Sequence, residues 1–94
     1  MMKVSEITAD TLKEWLGISD GEEETLAVIL LSAVSAAQGF TGLTLEELDE
    51  YEEITIAVLG ICNDYYNGNR PQAANTNMNK MSESILAMHS KNYL

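Results

Sequence analysis

The residues of this chain best placed to do chemistry are carboxylates, and they come in two runs. Glu22-Glu23-Glu24 follows the corner Ser19-Asp20-Gly21, and Glu46, Glu47, Asp49, Glu50, Glu52 and Glu53 crowd into one short segment. A hard cation needs several oxygen ligands converging from a sharply turning loop, with alternating ligand spacing. The stretch from Ser19 to Glu24 lacks that alternation. Three consecutive glutamates at a helix start, facing the positive end of the macrodipole, are the better reading. The second run offers carboxylate pairs for acid-base work. Such a pair works when an apolar pocket or a basic neighbour drives its two pKa values apart, and the surrounding sequence shows neither. A solvated helix face follows, with an electrostatic surface for a lumen or a basic partner as the functional alternative.

The remaining reactive side chains are solitary. His89 is the single histidine, set between Met88 and Ser90, and no cysteine, serine or aspartate stands at a spacing that would complete a nucleophilic set. It reads as a partly exposed helix residue. Cys62 is the single cysteine, so it forms no intramolecular disulfide and no metal cluster, and it suits a reducing cytoplasm. Its place on an apolar stripe predicts packing as a small hydrophobe. No catalytic, cofactor-binding or metal-binding residue is assigned, and the chain does not read as an enzyme. Two groups read as contact makers. Tyr65-Tyr66 either anchors an interface, where tyrosine is enriched, or places Tyr65 in the core and Tyr66 half outside it. Met78, Met81 and Met88 form an adaptable surface, favoured for docking because a short methionine-bearing helix after a long polar loop can engage a partner.

Helices must position these residues. A first helix runs from about Thr8 or Thr11 to Leu16, capped by Thr8 or Asp10, with Leu12, Trp15 and Leu16 on one face and Gly17 as its stop. A second runs from Glu22 to about Gln38. Its segment Leu26–Ala37 holds 12 residues without charge, short of the ~20 a bilayer span requires. Helix is favoured over strand by its alanines and acidic start. A helix apolar around most of its girth is buried on more than one side, and in so small a chain one side is expected to face another subunit. Gly39-Phe40-Thr41-Gly42 makes a corner. Thr44 and Glu47 form a capping box for a third helix over about 45–66, with Leu48, Tyr51, Thr55, Val58, Cys62 and Tyr65 on one stripe and Ile54, Ala57, Ile61 and Tyr65 on its neighbour. Residues 67–77, rich in Asn and broken by Gly68 and Pro71, read as a long loop. A short last helix starts near Asn77 or Asn79, with Met81, Ile85 and Met88 at i, i+4, i+7. The expected architecture is all-α, a small bundle of about four helices with a long loop before the last, over a single domain spanning 1–94.

The totals narrow the function classes. Ninety-four residues make one domain, small enough to gain much from a partner. The net charge is −10 and unevenly spread. Residues 1–53 hold 13 of the 15 carboxylates against Lys3 and Lys13, whereas residues 54–94 hold Asp64 and Glu83 against Arg70, Lys80 and Lys91. Nucleic-acid affinity comes largely from Lys and Arg neutralising phosphates, so specific DNA binding and attachment to an anionic membrane are not expected. The start Met1-Met2-Lys3-Val4-Ser5-Glu6 has no apolar signal region, so secretion is not indicated.

The order of these motifs resembles the head-tail connector family of siphophages, also described as DNA-packaging proteins. The family's first segment, Leu-Lys-x-x-Leu-x-Ile-x-x-x-Glu-Asp, is matched by Leu12-Lys13-Glu14-Trp15-Leu16-Gly17-Ile18-Ser19-Asp20-Gly21-Glu22-Glu23. Its aromatic-Thr-Gly corner is matched by Phe40-Thr41-Gly42, and its Tyr-x-Asn-Arg-like run loosely by Tyr65-Tyr66-Asn67-Gly68-Asn69-Arg70. The closing apolar helix is matched by Ser84-Ile85-Leu86-Ala87-Met88. The likeness covers nearly the whole chain. It departs where Gly68 interrupts the third helix and where the C-terminal end carries fewer basic residues.

The resemblance implies a homo-oligomeric ring under the portal, assembled in the host cytoplasm and then part of the virion. The ring would bind the portal protein and a tail-completion or stopper protein, and pass DNA without holding it. It implies subunit or portal contacts through Leu30, Val34, Tyr65, Tyr66, Arg70, Met81, Ile85 and Met88. Glu46, Glu47, Glu50 and Glu53 would face the lumen, where an acidic wall repels phosphates. The competing reading, from the acid-rich first half, is a DNA mimic that inhibits a host nucleic-acid-binding enzyme.

Overall fold

A computed structural model describes residues 2–19, 21–68 and 79–91. The chain is all-α. Among these residues a short 3-10 turn, Val4–Glu6, precedes five helices: α1 Ala9–Leu16, α2 Glu23–Thr41, α3 Leu45–Leu48, α4 Glu52–Tyr66 and α5 Lys80–Met88.

The local signals act where expected. Thr8 caps α1 by accepting from the Thr11 amide at 3.3 Å. Gly17 ends that helix in the left-handed region at φ 75°, a conformation that costs glycine little. Asn79 caps α5, accepting from Ser82 N at 2.8 Å. The described part of α5 therefore begins at the second of the two expected starts. The long loop expected over 67–77 lies, apart from Asn67 and Gly68, outside the described residues.

The third helix departs from expectation, because it is two helices. The Thr44–Glu47 capping box is present, with Glu47 N donating to Thr44 Oγ1 at 3.2 Å and Thr44 N donating to Glu47 Oε1 at 3.0 Å. The helix it opens nevertheless ends at Leu48, and Tyr51 is extended at φ −123°, ψ 112° before α4 begins. Charge explains the break. A continuous helix would stack Glu46, Asp49, Glu50 and Glu53 at i, i+3 and i+4, where like charges repel. The break moves Glu52 and Glu53 into the first turn of α4, at the favourable end of a new dipole. It also frees the Asp49 carboxylate to accept from Ser5 N at 2.9 Å and Ser5 Oγ at 2.6 Å, tying down the N-terminal turn.

The core sits around α4. Ile54, Thr55, Ala57, Val58, Leu59, Gly60, Ile61, Cys62 and Tyr65 are buried along it, covering both stripes read from sequence and more of its girth. Leu26, Ile29, Ala33 and Ala37 of α2, Leu12 of α1 and Leu86 of α5 close over it. Trp15 does not join this core. It is 50% exposed, so the apolar face of α1 is Leu12 with a half-buried Leu16.

Helix α5 crosses α4 closely. A methyl group at Gly60 would lie 2.7 Å from Ser82 Oγ, which itself donates to Ala57 O at 2.8 Å. The end of α2 is fixed by Thr41, whose Oγ1 donates to Ala37 O at 2.7 Å and accepts from Leu43 N at 3.1 Å. The Lys91 amide donates to Thr41 O at 2.6 Å, fastening the chain after α5 to the same corner.

Candidate functional site

Helix α2 is longer and barer than its sequence implied. It continues past Ala37 through Phe40 and Thr41 to 19 residues, long and apolar enough to cross a bilayer by length and composition. Only one side of it enters the core. Leu26, Ile29, Ala33 and Ala37 face inward, and the two alanines let other elements approach closely. On the other side Val28 is 62% and Leu31 68% exposed, Ala27 is exposed, and Leu30 and Val34 are half-buried.

That outer side borders a groove of about 340 Å³. Ala27, Leu30, Leu31 and Val34 form one wall, at i, i+3, i+4 and i+7 of α2. Val4 and Ile7 from the N-terminal segment, with Leu45 from α3, form the other. The groove exists because Ser5 is held to Asp49 and because Thr55 Oγ1 donates to Met2 O at 2.7 Å, which keeps the N-terminal arm alongside α2. No residue of α4 or α5 lines it. Exposed carboxylates stand next to its lining residues along the chain: Glu6 before Ile7, Asp10 after Ala9 and Glu46 after Leu45, with Glu24 one helical turn before Ala27.

A second apolar face lies on α5. Met81 is 51% and Met88 68% exposed, with Ile85 half-buried between them. Ser82 and Leu86, fully buried, hold the opposite side of the helix to the core.

The structure thus separates the expected contact residues into groups. Leu30 and Val34 line the groove, and Met81, Ile85 and Met88 share the outer face of α5. Tyr65 is corrected to a core residue. It is 5% exposed, and burial, with Cys62 and Asp64 nearby, pushes its hydroxyl above the ordinary tyrosine range. Tyr66 is half-buried and donates to Glu22 Oε2 at 2.9 Å, joining the end of α4 to the start of α2. Arg70 and Met78 lie outside the described residues.

The acids of the second run differ among themselves. Glu46 and Glu50 are exposed. Glu47 pairs with Lys91, and the hydrogen bond from Lys91, followed by that from the Thr44 amide, holds its carboxyl below the ordinary range. Glu53 meets His89 Nε2 at 3.0 Å. His89 is therefore not the loosely exposed residue expected. Its ring stacks on Tyr51 with centroids 4.1 Å apart and an interplanar angle of 27°. At the other acidic run, Glu23 pairs with Lys13, and that hydrogen bond lowers its carboxyl pKa.

Among the described residues no group of three or more His, Cys, Asp or Glu side chains is arranged to hold a metal ion. Cys62 is fully buried, and burial pushes its thiol up to about 12, so it is protonated across the physiological range and a poor nucleophile there.

Sequence patterning missed the outer wall residues Ala27, Val28 and Leu31 and the arm residues Val4 and Ile7. The available signal was the alanine pair Ala33 and Ala37, which marks the closely packed side of α2 and leaves the leucine-rich side outward. No protein-family model, no curated protein and no solved structure matches the chain.

Proposed function

We propose that this chain is a structural subunit of a phage head-tail connector, assembling as a ring between portal and tail. The observation that carries the reading is the outward side of α2, where Val28, Leu31 and their neighbours keep a bare apolar surface on a subunit whose core is already closed. Contiguous apolar surface of this kind marks interaction sites. The motif order from Leu12 to Met88 supports a connector over other assemblies.

In this reading Glu46 and Glu50 face the passage, and their carboxylates repel phosphates so that DNA moves through without adhering. Glu47 and Glu53, already engaged by Lys91 and His89, stiffen the same wall.

The test is sedimentation velocity of the full chain alone and with a siphophage portal protein. Closed oligomers, alone or on the portal, are the expected result. A chain that stays monomeric and never binds portal overturns the reading. Capture of a host DNA-binding protein that free DNA displaces would replace it with the mimic.

A further inference from the structure

The outer faces of α2 and α5 match in length, chemistry and charge. We propose that they are two halves of one contact, in which α5 of one copy of this chain lies in the α2 groove of the next. The proposal rests on the assembly reading above and names the surfaces through which assembly occurs.

Length comes first. The groove wall from Ala27 to Val34 and the stripe from Met81 to Met88 each span seven residues, or about 10 Å of helix at the standard rise. The patterns agree too: i, i+3, i+4, i+7 on α2 faces i, i+4, i+7 on α5, so the ridges of one helix meet grooves of the other. Methionine's unbranched side chain lets Met81 and Met88 adapt to the leucine-lined wall.

Charge selects this pairing over α2 against α2. Glu6, Asp10, Glu24 and Glu46 stand exposed beside the groove, with Lys3 as the basic residue on that side. Helix α5 opens at an exposed Lys80 and is followed by Lys91. Two grooves face to face would bring acids against acids, whereas α5 brings cations to them.

Within one subunit α5 cannot fill its own groove. Ser82 and Leu86 hold it to the core, and the groove is walled by α2, the N-terminal arm and Leu45. The contact therefore joins two unlike patches, and repeating it closes a ring or propagates a filament. A nine-residue helix in a groove falls at the lower end of stable interface sizes. A single contact is weak, and a closed ring, with two contacts per subunit, is the state that persists.

Full-length Leu31→Cys and Met88→Cys chains, oxidised separately and mixed, test the contact, with Glu14→Cys on exposed α1 as control. Both target sites are exposed, so neither substitution opens the core, and the buried Cys62 stays silent. The mixture should give cross-linked dimers in several-fold excess over either variant alone and over any pairing with Glu14→Cys. Leu31→Cys homodimers formed as readily as the mixed product would replace the contact with a symmetric α2 pair. Flotation with phosphatidylcholine vesicles and no mixed cross-link would assign the α2 face to a bilayer instead. An unmodified chain that sediments as a ring while the mixture fails to cross-link would overturn this contact and leave the connector reading standing. A chain monomeric under both measurements would remove both.

Discussion

At the scale of single residues, the closest approach in the molecule is Gly60 against Ser82. Alanine at an interior helix position normally gains about 1 kcal/mol over glycine. Here the new methyl meets a short side chain already bonded to Ala57 O, so Gly60→Ala should instead lose about 1–3 kcal/mol. Adding Ser82→Ala should recover part of that loss, measured by urea denaturation of the single and double variants. Thr41→Val makes a different test. It leaves Leu43 N, which donates to the Thr41 hydroxyl, without its acceptor in a buried corner, at about 1–3 kcal/mol. Cys62 and Tyr65 act on the alkaline side. Each holds its proton more tightly folded than unfolded, so their stabilisation is complete below the unfolded thiol pKa. It declines as pH rises from about 9 toward the folded thiol value of about 12. Thermal unfolding between those limits should show a falling Tm, and a native-state thiol assay at pH 8 should find Cys62 unreactive. The burial of Cys62 was legible in its place on an apolar stripe. The stacking of His89 on Tyr51 was not, because residues so far apart in sequence meet only once α5 has docked.

At the scale of elements, each of two helices presents a face that matters for folding and a face that does not. Leu86→Ala on the inner side of α5 should cost about 2–5 kcal/mol, as large-to-small core changes do. Met88→Ser on its outer side should leave stability within about 0.5 kcal/mol. Ile29→Ala against Leu31→Ser makes the same contrast on α2. Denaturant midpoints of the four variants check both helices at once. If Leu31→Ser or Met88→Ser proved as costly as its inner counterpart, the outer faces would be part of the core. The helices themselves were legible in periodicity and caps, with α1, α4 and α5 bounded within a few residues. The break at 49–51 was not, since hydrophobic spacing runs smoothly through Leu48, Tyr51 and Thr55. Repulsion among six carboxylates decides it, together with the distant Ser5 that Asp49 holds. Which side of α2 lies outward was equally hidden, because a helix apolar all round has no periodic signal to orient it.

At the scale of the whole molecule, the uneven charge and the two bare faces act together. Residues 1–53 hold 13 of the 15 carboxylates, whereas residues 54–94 hold three of the five basic residues. Acidification toward the sequence pI of about 4.2 removes the long-range repulsion between copies. Light scattering should therefore rise steeply as pH falls below 5, whereas Leu31→Ser should blunt the rise by shrinking the apolar face. The sealed thiol of Cys62 has a practical consequence at this scale. The fold is its own blank background: a cysteine introduced on the surface offers the only accessible sulfur, and a dye or spin label attached there would report distances between neighbouring copies without first removing the native residue.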